Sequence, residues 1–192
     1  MNMDKGKEAK REFIRAFHDN AERRIEFLVW LNKEKHQYEA LTLCLSYIDS
    51  FSQWLFWPSS GSGKNFVDAI IKFGGDPLMG LIHPLQAIRS FEVMKTPWKQ
   101  ISRKIEEKFP GPQYELICGD DFLMKLNSIL TTQESNQLKA ECWRGTLAAT
   151  AYYFLRNPSV HGFGASELSF SGTSYQGTVI SGMGFVELNH IL

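Results

Sequence analysis

Between His36 and Trp57 apolar side chains recur at helical spacing, and they cover more than one face of the helix they imply. Tyr38, Leu41, Leu45, Ile48 and Leu55 form one stripe, which Leu43, Tyr47 and Trp54 widen. A helix coated this broadly has to be buried against several neighbours. That requirement points to an all-α fold, an up-and-down helical bundle with additional short helices. Two further segments share the period. Residues 8–33 carry Phe13, Phe17, Ile25, Leu28 and Leu31 between polar turns. A third helical stretch, rich in Ala and Leu, runs to Leu155 from Thr131-Thr132-Gln133-Glu134, which holds the Thr and Glu of a capping box. Gly145 inside it lowers helix propensity and suggests a close contact with another helix.

Shorter elements are expected between these. Trp57 to Gly63 is a loop by composition, and Lys64 to Phe73 is a short amphipathic helix ending at Gly74-Gly75. Asp76-Pro77 offers an N-cap followed by proline at the first helical position, and Thr96-Pro97 repeats the device before a helix over Trp98 to Phe109. Pro110-Gly111-Pro112 interrupts the chain, and Asp120 can cap a helix over 121–130. After Arg156 the character changes. Glycine stands at 162, 164, 172, 177, 182 and 184, and Leu168–Phe170 and Thr178–Ile180 read as short strands around a Tyr175–Gly177 turn. The expectation is one domain, with a helical body over about 8–161 and a β-hairpin tail over about 162–192.

Charge and length exclude several classes. The 192 residues are 43% hydrophobic, enough to bury a core without staples. Lys plus Arg and Asp plus Glu are 21 each, so the chain is not a polybasic non-specific binder. The N-terminus is charged from Asp4 and lacks the apolar stretch of a signal peptide. The uncharged run Leu168–Val186 is full of Gly, Ser and Thr, and Gly145–Leu155 is too short to span a bilayer. A soluble, cytoplasmic protein with no membrane association is expected. Cys44, Cys118 and Cys142 form no CxxC pair and read as free thiols acting as small buried hydrophobes.

Several candidate chemistries fall to context. Ser60-Gly-Ser-Gly-Lys64 resembles a phosphate loop, but Pro58 stands where the first Gly belongs and Asn65 replaces Ser or Thr. His18, His36, His83 and His190 have no metal-ligand spacing and read as surface or capping residues, so neither metal nor cofactor is expected. Glu106-Glu107 lies among cations on a solvated face, and Asp120-Asp121 sits at a helix start, where the dipole favours it. Lys95, Lys99 and Arg103 lie four apart with Lys104 and Lys108 continuing the strip, a candidate phosphate-backbone contact face for RNA.

What remains is Leu155-Arg156-Asn157-Pro158-Ser159-Val160-His161-Gly162. Arginine is a permanent, forked donor suited to a phosphodiester, and histidine is the proton shuttle of neutral pH. Pro158 disfavours helical backbone at Asn157, so the helix should end near Arg156 and leave both side chains on a turn.

An Arg, a polar residue and a His after four intervening positions, at the end of a long helix, resembles the motif of the HEPN superfamily. The order of long helices upstream, Asn157 after the Arg, and Val160-His161-Gly162 before a Gly/Ser-rich tail add to the resemblance. It covers the helical body, about residues 8–165. The hairpin and Pro158 depart from the minimal pattern. A second spacing, Arg11 to His18, is set aside because Glu12 would compete for the guanidinium.

The resemblance implies a metal-independent endoribonuclease of the kind found among toxins and in anti-phage defence. It would form a homodimer that brings two motifs into one cleft and would take RNA as substrate, with a cognate antitoxin as a further partner. In that reading the 2′-hydroxyl attacks the adjacent phosphate, His161 moves the proton, Arg156 stabilises the transition state and Asn157 orients His161 or holds the phosphate. Asp49, beside the stripe of the second helix, is a candidate support. Two alternatives stay open: a non-catalytic helical module that binds a protein or nucleic acid, and a regulatory partner of a nucleotidyltransferase.

Overall fold

The computed structural model describes residues 3–56, 61–110, 114–156, 173–175 and 178–180. They form two compact units, residues 1–47 and 48–192. Eight helices lie among the described residues, so the body is all-α.

In the first unit α1 spans Met3–Lys33 and α2 begins at Gln37. The turn between them closes α1 with paired bonds: His36 N–H donates to the Leu31 carbonyl at 2.9 Å and Lys35 N–H to that of Asn32 at 3.2 Å. This geometry needs a left-handed residue, and Lys35 supplies it with φ 69° where glycine is usual. Leu28, Leu31, Leu41 and Leu45 are buried, as the apolar stripes require. The Arg24 guanidinium sits 4.9 Å from the Tyr47 ring centre and ties α1 to α2.

The second unit holds the remainder of α2, which ends at Leu55, followed by α3 (Ser62–Phe73), a 3₁₀ turn (Pro77–Gly80) and α4 (Pro84–Glu92). Then come α5 (Trp98–Lys108), α6 (Gly119–Leu126), α7 (Thr132–Glu141), a 3₁₀ turn (Cys142–Gly145) and α8 (Leu147–Thr150), continued by a wider π-helical segment, Ala151–Arg156. Its core is built from Ile88 and Phe91 of α4, Ile101 and Ile105 of α5, Phe122 and Leu126 of α6 and Leu138 of α7. Stacked rings close two seams: Phe91 on Trp98 at 5.0 Å and Phe109 on Phe122 at 5.4 Å. The buried Ser102 hydroxyl donates to the Ile88 carbonyl at 2.9 Å, joining α5 to α4.

The helical reading of 131–155 needs correction. The stretch breaks at Gly145-Thr146 because tertiary pairing captures it. His83 N–H donates to the Gly145 carbonyl at 2.8 Å, and Leu147 N–H to that of Leu81 at 3.1 Å. On its other side Ile82 exchanges two bonds with Ile117, at 2.8 and 3.0 Å. Leu81–His83 is thus an extended pin between two segments, and Thr146, extended at ψ 158°, restarts the helix by accepting from Ala149 N–H.

Other starts shift as well. Asp76 does cap, its carboxylate accepting from Leu78 N–H at 2.8 Å, but it opens only the 3₁₀ turn; the helix begins at Pro84. Pro97, not Thr96, holds the N-cap position of α5, with no side-chain cap. Cys118 holds that position in α6, leaving Asp120 and Asp121 inside the first turn. Of the two places expected for His83, surface or cap, it takes the second: it is buried at the N-cap position of α4, with no side-chain cap bond; Cys118 is exposed rather than buried. Of the tail, Thr173–Tyr175 pairs antiparallel with Thr178–Ile180 and parallel with Tyr114–Glu115. Leu168–Phe170 lies outside the described residues. No described helix is long and apolar enough to cross a membrane.

Candidate functional site

The segment that carries Arg156 is fixed at its base. Thr146 caps α8, and the Thr146 hydroxyl donates to the Trp143 carbonyl at 2.7 Å. Six residues on, Tyr152 packs its ring 5.2 Å from that of the fully buried Phe66 in α3. The α3 backbone comes close here because Gly63 faces the same ring: a Cβ on Gly63 would stand 2.9 Å from Tyr152. The π-helical segment therefore starts from a close helix-on-helix contact, and Arg156 is its last described residue. Asn157 and His161 lie outside the described residues.

Asp49 belongs to a polar seam between α2 and α3. Its carbonyl accepts from the Ser52 hydroxyl at 2.8 Å, and its carboxylate from the Gln53 amide at 3.5 Å. The Gln53 side-chain oxygen in turn accepts from Asn65, a buried residue of α3, at 3.1 Å. Asn65 is the position that departs from the phosphate-loop pattern, and a helix-to-helix bond occupies it. Lys64, the loop's lysine, pairs with Asp68 one turn along α3.

The basic strip separates into two parts. Lys95, Lys99 and Arg103 are exposed. At ~100° per residue Lys104 lies well round the helix from Lys99, while Glu106 and Glu107 return beside Lys99 and Arg103. Lys104 bonds both Glu134 oxygens, at 2.8 and 2.7 Å, and so joins α5 to α7. That ammonium, with the Thr131 N–H, holds the Glu134 carboxyl below the usual glutamate range.

A second group of polar side chains, not singled out by the sequence, gathers around a cavity of about 310 Å³ lined by α4, Arg144 and Tyr153. Arg144 bonds Glu141 at 2.6 Å, donates to the Tyr153 phenol oxygen at 2.5 Å and lies over the Trp143 ring at 4.5 Å. Burial pushes the Tyr153 phenol above its ordinary pKa against the opposing pull of Arg144, so it keeps its proton. Gln86, Arg89, Ser90 and Val93 recur at helical spacing along one stretch, a local signal, whereas Arg144 and Tyr153 are brought to it from distant positions.

Among the described residues no three His, Cys, Asp or Glu side chains group to hold a metal ion. Neither a protein-family model nor a curated protein nor a solved structure matches the chain.

Proposed function

We propose that this protein is a metal-independent endoribonuclease of the HEPN type, a toxin or phage-defence enzyme that works as a cytoplasmic homodimer. Its tail is a β-hairpin appended to the helical body. The observation that carries the reading is that the sequence Arg156-Asn157-…-His161 begins on the helical segment Ala151–Arg156, which packs on α3 through Tyr152. An anchored segment holds a catalytic side chain in register with a substrate, and register is worth several kcal/mol of a barrier.

Arg156 would bind the scissile phosphate with its fork, and His161 would take the 2′-hydroxyl proton. The partner subunit's copy of the motif would return a proton to the leaving 5′ oxygen. Histidine's reference pKa of ~6.5 suits both transfers. The attacking group belongs to the RNA, so products carry 2′,3′-cyclic phosphate and 5′-hydroxyl ends and DNA is resistant.

The test is incubation of single-stranded RNA with wild type, His161→Ala and Arg156→Lys in the presence of a chelator. Removing the proton carrier should slow cleavage by ~10²–10⁴-fold. The lysine variant should also fail, because a point charge cannot replace the bidentate fork. Full activity in His161→Ala, or loss of wild-type activity with chelator, would refute the mechanism. No cleavage of any RNA would move the assignment to a non-catalytic binding module.

A further inference from the structure

The cavity beside α4 falls at the lower end of the range of small-molecule sites, ~300–1,000 Å³. Val93, Met94 and the Tyr153 ring give it apolar walls. Its polar groups are few and specific. The Arg144 charge is matched by Glu141, whereas Arg89 makes no ion pair among the described residues. The cavity is therefore positive on the Arg89 side.

The hydroxyl of Ser90 fixes the remaining polarity. It has one proton, which it donates to the Arg144 carbonyl at 3.2 Å. It must then accept from Gln86 Nε2, at 3.0 Å. This orients the carboxamide and leaves Gln86 Oε1 as an acceptor with no donor among the described residues, on a side chain that is 95% buried, being 5% exposed. Tyr153, whose oxygen already accepts from Arg144, has its own O–H left to donate. A matching ligand brings an N–H donor to Gln86, a flat apolar body to the walls and an anion to Arg89. Nucleic-acid bases are recognised in this way, by an aromatic or guanidinium surface and an amide at the base edge.

We propose that this cavity seats one nucleotide of an RNA strand, its base edge on Gln86 and its phosphate on Arg89. The inference rests on the ribonuclease reading, since Tyr153 stands three residues before Arg156 on the same segment. Cleavage would then depend on the base held there.

The experiment measures binding apart from turnover. A single-stranded 2′-O-methyl oligoribonucleotide, which offers no attacking hydroxyl, is titrated calorimetrically against wild type, Arg89→Ala and Val93→Trp, with nucleoside 5′-monophosphates in a parallel arm. Val93 is 85% exposed, so the larger side chain can fill the cavity mouth without entering the core. Each variant should match the wild-type circular dichroism and bind the oligonucleotide about tenfold or more weakly, Arg89→Ala by losing one charged hydrogen bond and Val93→Trp by occupying the space of the base. Wild-type affinity in both variants, with RNA cleavage intact, overturns the inference and leaves the nuclease reading standing. Binding that depends on both positions, with no cleavage of RNA by wild type, supports the nucleotide seat and removes the nuclease. Monophosphates that bind as tightly as the oligonucleotide overturn the strand assignment in favour of a free nucleotide.

Discussion

Gly145 shows what a single residue fixes in this molecule. A Cβ there would stand 2.9 Å from Ala87 Cβ and 3.1 Å from Ile82 Cγ2, so the pin of Leu81–His83 and the start of α4 can close on it only because it has no side chain. Gly145→Ala should cost ~1–3 kcal/mol by overpacking, read as a lower urea midpoint. Adding Ala87→Gly should return part of the loss, since the facing methyl is then gone; a strictly additive pair would contradict the contact. On the same pin, burial and the nearby Arg89 charge lower the His83 pKa to about 4. The unfolded chain, with a histidine near ~6.5, binds more protons through that interval, so stability rises with pH there. This contribution is complete above about pH 6.5 and is lost as pH falls toward 4, a change on the order of 3 kcal/mol. Denaturation curves at intervals from pH 7.5 to 4.5 should show that slope, and His83→Gln should flatten it.

At the scale of elements, the capping box is the clearest case of sequence becoming structure. The Thr131 oxygen accepts from Glu134 N–H at 3.2 Å, and the Glu134 carboxylate accepts from Thr131 N–H at 2.7 Å while also holding Lys104 of α5. Thr131→Ala should therefore cost ~1 kcal/mol, ~2–4 °C in Tm for a chain of this size. An unchanged melting temperature would mean that α7 starts without its cap. Where periodicity was long, as in α1 and α2, the elements were legible because many positions repeat one message. The break at Gly145-Thr146 was not, because the pairing that captures it comes from residues 81–83, over sixty positions away. Asp76-Pro77 is a local signal that the structure bears out as a cap and first helical position, although the helix it opens is a single 3₁₀ turn. Of the candidate site, the structure describes only the helical segment Ala151–Arg156 that leads into the motif; Asn157, Pro158 and His161 lie outside the described residues. The Asp49–Gln53–Asn65 seam was not legible, since it joins two helices whose mutual placement no local pattern encodes; of the cavity, Gln86 and Arg89 share one face of α4, but Tyr153 reaches it from over sixty positions away.

For the whole molecule, the proposed mechanism requires two copies, since one histidine cannot both take a proton and give one in a single step. We propose that the partner docks on the surface of α1. Phe27 and Trp30 are exposed on one side of it and stack at 5.6 Å. A patch of aromatic side chains on the outside of a helix is what an interface core requires, and a stable one buries roughly 1,200–2,000 Å² in total. Light scattering at tens of micromolar should give twice the 22.0 kDa chain mass. Trp30→Glu and Phe27→Glu place a charge where the partner would have to bury it, so each should yield monomer. Both side chains are exposed, so helicity and melting of the separated chains should stay near wild type. If the active site is composite, RNA cleavage should disappear together with the dimer and return in part at high protein concentration, where mass action restores association. A monomeric variant that cleaves RNA at the wild-type rate would show that one chain suffices, and the two-histidine scheme would fall even if His161 remained essential.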